Sequence, residues 1–294
     1  MSWPKIIEPD GPPLIRSAPL IPAAITGPAA AENLDVHQAE DWVRRNVLAG
    51  ATLLCAPRWW ELAGRLRDCS IADSVAIVRR GIKMAADSDT THGNRGSLQI
   101  AGVVSLYRAW DVLISHFDEI RVRVEGLLDA GIDVLIVENL DEIDATLDIL
   151  SDIVLAVADR KVSLVVGASV YHGGFVPSGE TIQEAADKLA CEGIDCVGIE
   201  DRRTGFDREH ILKYLDRYRD RATALFSDVV VAPENLWLRS ESTSASVAEL
   251  YRSAIEFNNC RIIGGGRSAA LDDVARYSAI VRSMHGEREE HAAE

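Results

Sequence analysis

Residues able to do chemistry recur just beyond short apolar runs. DVLIVE, residues 133–138, ends on Glu138, and DCVGIE, residues 195–200, runs directly into Asp201. ATLLCA contains Cys55 and leads to Trp59, SLVVGAS leads to Tyr171 and His172, VVVA leads to Asn235, and RIIG opens into Gly265, Gly266 and Arg267. Carboxylates and an imidazole carry protons when their surroundings tune them, so Glu138, Asp201 and His172 are the candidate proton carriers. A guanidinium beside exposed backbone N–H groups makes an anion site, which assigns Arg267, Gly265 and Gly266 to substrate binding. Cys55, Trp59, Tyr171 and Asn235 would line the same pocket. The set suits a small polar or zwitterionic ligand. Each residue also has a plainer reading: Glu138 as half of a structural ion pair, Cys55 as a small buried filler, His172 as part of a surface loop, and the glycines as a tight turn.

These residues need a scaffold that gathers strand ends. Apolar runs at 20–24, 51–56, 98–105, 133–138, 163–169, 195–200, 229–232 and 261–264 suit buried parallel strands. Amphipathic stretches follow them at 35–48, 71–86, 119–130, 142–156, 182–192, 210–219, 247–258 and 271–283. Eight strand–helix units predict a single (β/α)8 TIM barrel of class α/β, over residues 20–285. An open doubly wound sheet is the alternative, but AAITGPAA lacks a phosphate-binding glycine loop. VLAGATLLCA, LLDAGIDVLIVE and LACEGIDCVGIE share one grammar, with Gly50, Gly131 and Gly193 ending a helix just before a strand. Pro4, Pro9, Pro12, Pro13 and Pro19 mark residues 1–19 as an N-terminal arm, and residues 286–294 read as a charged tail. In such a barrel the site lies at the C-terminal ends of the strands, where every candidate above falls.

Composition narrows the partners. The 294 residues carry 31 Lys+Arg against 46 Asp+Glu, a net charge of −15, which argues against nucleic acid. Neither a secretory signal nor a run of about 18 apolar residues is visible, so a cytoplasmic protein with no membrane span is expected. Cys55, Cys69, Cys191, Cys196 and Cys260 are scattered and form no C-x-x-C pair, which argues against a disulfide framework or a structural zinc knuckle. A small-molecule substrate is expected, with no cofactor, and assembly into a homo-oligomer stays open.

Several blocks resemble the homocysteine S-methyltransferase family. VHQAEDWVRRNVLAGATLLCAPRWW is similar to its helix and second strand, AGVVSLY to V-A-G-S-I-G-P-Y, and RVEGLLDAGIDVLIVENL to L-L-E-A-G-V-D-L-L-L-x-E-T. PSGETIQEAADKLACEGIDCVGIED matches the stretch ending in G-V-N-C, and RIIGGGRSAALDDVARYSAIV lies where G-G-C-C-G-T-T-P-x-H-I stands. The resemblance implies a barrel in which three cysteines hold a zinc that binds the homocysteine thiol as thiolate. Here the three cysteine positions carry Asp201, Gly266 and Arg267, and the first-strand acid falls near Ala23. Glu138 stands where the family's amine-binding glutamate does. Asp201 and Arg267 are expected to form an ion pair in place of the metal. Two functions follow from the resemblance. One is a zinc-independent enzyme acting on a small amino-acid-like or carboxylate-bearing substrate, methyl transfer included. The other is a non-catalytic ligand-binding or partner subunit derived from the family.

Overall fold

The computed structural model describes residues 13–17, 35–57, 68–88, 98–106, 110–140, 143–170, 175–189, 193–201, 216, 222–227, 241–257, 259–265 and 271–293. The elements are β1 (Leu14–Ile15), α1 (Val36–Ala49), β2 (Leu53–Cys55), α2 (Ile71–Ser88), β3 (Gln99–Ser105), α3 (Trp110–Asp129), β4 (Val134–Leu140) and α4 (Ile143–Ala158). They continue as β5 (Ser163–Val170), α5 (Ile182–Leu189), β6 (Cys196–Asp201), β7 (Ala222–Ser227), α6 (Glu241–Phe257), β8 (Cys260–Gly265) and α7 (Leu271–Ala293). One eight-stranded sheet has the order β1-β8-β7-β6-β5-β4-β3-β2, with all neighbours parallel. Its two edges meet. Arg16 bridges Leu53, Thr52 N donates to Ile15 O at 2.9 Å, and Ser17 N donates to Leu53 O at 2.8 Å. The sheet therefore closes into the expected (β/α)8 barrel.

Strand alternation divides the apolar residues into two cores. Leu53, Ala101, Val103, Val134, Ile136, Val165, Cys196, Ala224 and Ile262 fill the barrel interior. Leu54, Val104, Leu135, Val137, Leu164, Val166, Val197, Leu225 and Ile263 face outward and pack with the helices. Capping boxes start three helices: Asp35 with Gln38 before α1, Ser70 with Asp73 before α2, and Thr181 with Glu184 before α5.

Two strands differ from their sequence reading. β1 is Leu14–Ile15, inside the segment expected as an arm, whereas residues 20–24 lie outside the described residues. A strand can begin directly after Pro13, because the missing N–H then costs no ladder bond. β7 is Ala222–Ser227, upstream of the more apolar VVVA at 229–232, which lies outside the described residues. Ala222 and Ala224 pack into the narrow interior, so the true strand is less hydrophobic than its neighbour in sequence. α3 starts at Trp110, ahead of the expected 119, and α7 continues to Ala293 through the stretch expected as a tail. Of the helix expected at 210–219, only residue 216 is described.

The repeated G-I-D turns are built alike. Gly50, Gly131 and Gly193 have φ of 103°, 76° and 97°, the left-handed cap their sequence grammar requires. Ile132 and Ile194 are buried. The following aspartate then accepts an amide from the preceding strand. Asp133 Oδ2 takes Ile100 N–H at 2.8 Å, and Asp195 Oδ2 takes Leu164 N–H at 2.8 Å. Burial raises the Asp195 carboxyl above its ordinary value, and the Leu164 N–H only partly offsets this. The folded chain thus holds this proton more tightly than the unfolded chain. The stability it brings is complete below the unfolded value near 3.9 and is lost as pH rises through the raised folded value. Asp195→Asn keeps the acceptor and should gain stability over wild type as pH rises from about 4 to 7. Asp195→Ala, which orphans the Leu164 amide, should lie about 1–3 kcal/mol below Asp195→Asn throughout. Urea denaturation across that pH range measures both.

Candidate active site

Glu138 sits in β4 where the β4–β5 register slips between Val137 and Leu140. Such a bulge re-aims side chains. Up to Glu138 the even-numbered residues Val134 and Ile136 face the interior, while Leu140, beyond the slip, packs outward. Glu138 is fully buried, and its Oε2 accepts from Arg16 Nη2 at 2.8 Å, with side-chain exposures of 4% for Arg16 and 1% for Glu138. Arg16 and Glu138 are the only fully buried charged residues among those whose burial is described.

Arg16 follows β1 and reaches Glu138 of β4, with β2 and β3 between them in the closed sheet. Its Nε donates to Cys55 Sγ at 3.4 Å, and Cys55 N donates to Ser17 Oγ at 3.0 Å. Thus the ends of β1, β2 and β4 are linked through one guanidinium. β8 makes room for it. A Cβ on Gly264 would lie 2.6 Å from Arg16 Cβ, a distance real Cβ atoms do not tolerate, and would touch Arg16 Cα at 3.4 Å. The Gly264 carbonyl is fixed by Tyr251 Oη at 2.8 Å, and the Tyr251 ring packs on Tyr277 with centroids 4.8 Å apart.

The remaining strand ends complete the rim. Asp201 ends β6 and Gly265 ends β8, and both lie in register with Ser227 of β7. Asp201 and Gly265 therefore stand at one level, on either side of Ser227. The structure brings Glu138 and Cys55 together through Arg16 and places Asp201 and Gly265 on the same rim. Trp59, Tyr171, His172, Asn235, Gly266 and Arg267 lie outside the described residues.

Arg16 is the residue that sequence reasoning passes over. It belongs to the proline-rich segment read as an arm. The available signal was the pair Leu14–Ile15 running into Arg16 and Ser17, an apolar start ending on polar residues like the other strands.

Two other thiols lie at the far end of the barrel. Cys196 opens β6 and Cys260 opens β8, both fully buried. Burial pushes the Cys260 thiol up to about 12 and the Cys196 thiol well above its ordinary value. By the resemblance, the three zinc-ligand positions carry Asp201, Gly266 and Arg267 in sequence: a carboxylate, a glycine with no side chain, and a permanently charged guanidinium. Zinc takes sulfur, nitrogen or carboxylate donors in a near-tetrahedral set, so these residues do not fit a zinc–thiolate centre. Among the described residues, no three His, Cys, Asp or Glu side chains gather to hold a metal.

The fold and the rim define a (β/α)8 barrel. The family model described as homocysteine S-methyltransferase matches residues 44–281, and the chain belongs to that family. The apo form of the homocysteine methyltransferase MmuM from Escherichia coli superposes with TM-score 0.65 at 18% identity, covering 94% of this chain and 99% of that one. The metallated form gives TM-score 0.67 at 15% identity over the same shares, 94% and 99%. The octameric ribulose-1,5-bisphosphate carboxylase/oxygenase from Pyrococcus horikoshii OT3 gives TM-score 0.56 at 10% identity, covering 95% of this chain and 60% of that one. These likenesses are of fold. No curated protein matches the chain in sequence. No helix among the described residues is long and apolar enough to cross a membrane.

Proposed function

We propose that this barrel transfers a methyl group to a small carboxylate-bearing acceptor without a zinc-bound thiolate. The observation that carries the reading is the altered donor set at the mouth of a barrel belonging to a methyltransferase family. By the resemblance, Asp201, Gly266 and Arg267 stand in sequence where the family's metal ligands do, while Glu138 is buried and paired with Arg16. A sulfonium donor already carries an activated methyl group. Attack by an ionised acceptor oxygen or sulfur forms the new bond to methyl and releases a neutral thioether, so catalysis reduces to alignment and exclusion of water. Arg267 with the Gly265–Gly266 backbone holds the acceptor carboxylate. Asp201 and His172 carry any proton the acceptor must lose. Trp59, Tyr171 and Asn235 shape the pocket, and Cys55 and Glu138 fix its floor through Arg16.

A binding subunit without turnover is the second reading. It is favoured by the saturation of Glu138 with a residue of the chain itself. Incubation with S-methylmethionine or S-adenosylmethionine and a panel of thiols and carboxylates, read by mass spectrometry, separates the two. The enzyme reading expects a methylated product at a rate unchanged by a chelator. Activity that disappears on chelation and returns with zinc would overturn zinc independence. Tight ligand binding with no product from any acceptor would favour the binding subunit.

A further inference from the structure

Among the residues whose burial is described, Glu138 is the one fully buried carboxylate, and its cation is Arg16 of the chain itself. We infer that Arg16 is a specificity-determining residue: its guanidinium permanently fills the cation position of Glu138, so the ligand of this barrel seats no ammonium group there. The inference deepens the proposed function, narrowing its substrate class to carboxylate-bearing molecules that need no amino group for binding.

Three observations carry it. The contact is a charge-assisted hydrogen bond of 2.8 Å between side chains almost wholly removed from water. An incoming ammonium would have to displace the guanidinium and leave it buried without that partner, a change that disfavours binding. Arginine does not vacate the position by losing its proton, because the guanidinium keeps its charge throughout the usual pH range. The barrel is also shaped around this side chain, since Gly264 supplies the space its Cβ occupies and Cys55 Sγ receives its Nε. A buried ion pair is often no more stabilising than apolar side chains of the same volume, so its presence calls for a role besides stability. Excluding one class of cationic ligand is such a role, because specificity is commonly built by disfavouring the wrong partner.

The test removes the resident cation and offers a free one. Arg16→Ala, and Arg16→Gln as a second and less disruptive variant, are titrated with methylguanidinium and with ethylammonium against matched sodium chloride. A saturable rise in melting temperature of roughly 5 °C is expected at a hundredfold excess over the dissociation constant. Wild type and the Arg16→Ala/Glu138→Gln double variant should not respond. In a parallel arm, wild type should bind mercaptobutanoate, the deamino counterpart of homocysteine, at least as tightly as homocysteine. Arg16→Ala should shift that ratio at least about tenfold toward the amino acid, one factor of ten being about 1.4 kcal/mol. The inference is overturned if neither variant gains cation binding, failure of both to fold at any cation concentration included. It is equally overturned if wild type prefers homocysteine and Glu138→Gln abolishes the preference. If wild type binds neither acid, the substrate reading falls, and the cation titration alone then decides the role of Arg16.

Discussion

Glu138→Ala is expected to destabilise the protein by about 3–5 kcal/mol, the usual cost of leaving one member of a buried ion pair without its counter-charge. Arg16 is 3% exposed and Glu138 0%, so neither can recover its partner from solvent without opening the barrel. The loss should reach beyond one contact, because Arg16 also links the ends of β1, β2 and β4 through Cys55 and the Ser17–Leu53 bond. Arg16→Met/Glu138→Leu, which removes both charges and retains volume, should recover most of the loss. The comparison is a double-mutant cycle by urea denaturation. Equal destabilisation of the single and double variants would mean that packing, and not charge, holds this part of the mouth.

Gly264→Ala should cost about 1–3 kcal/mol, because the added methyl meets Arg16 Cβ at 2.6 Å and the backbone Arg16 Cα at 3.4 Å. The neighbour cannot retreat cheaply, since the β1–β8 register places Ile15 beside Ile263 and Arg16 N donates to Ile263 O at 2.8 Å. Gly167→Ala is the control. It is also a strand glycine, but its added carbon meets only Val137 O at 3.8 Å, so its effect should stay within about 0.5 kcal/mol. Thermal unfolding of both variants reads the difference. Gly264→Ala should also weaken the Arg16–Glu138 contact, so combining it with Arg16→Ala should be less than additive.

How far the sequence reveals this molecule depends on whether a residue's role is local. β4 and β6 are legible because each begins with a helix cap, a buried isoleucine and an aspartate and then runs apolar. The positive φ at Gly131 and Gly193 is required by that turn alone. β1 is not legible. Two residues beside Pro13 become a strand only because β8 and β2 lie on either side to receive them. β7 is hidden for a related reason: its interior positions carry alanine where the barrel is narrow, so a stronger apolar run downstream attracts the assignment. At the site, Glu138 is visible as a charge ending an apolar strand, and Cys55 as a residue at a strand end. Their connection is not visible, because Arg16 lies 122 positions from Glu138 in sequence and meets it only when the barrel closes.

Elemental analysis of zinc in protein purified from zinc-supplemented cells bears most directly on the replacement of a metal centre by charged side chains. Far less than one zinc per chain is expected, with no further uptake on titration. One zinc per chain, retained through dialysis and lost in Asp201→Ala, would contradict it and return the mouth to metal-assisted thiol chemistry.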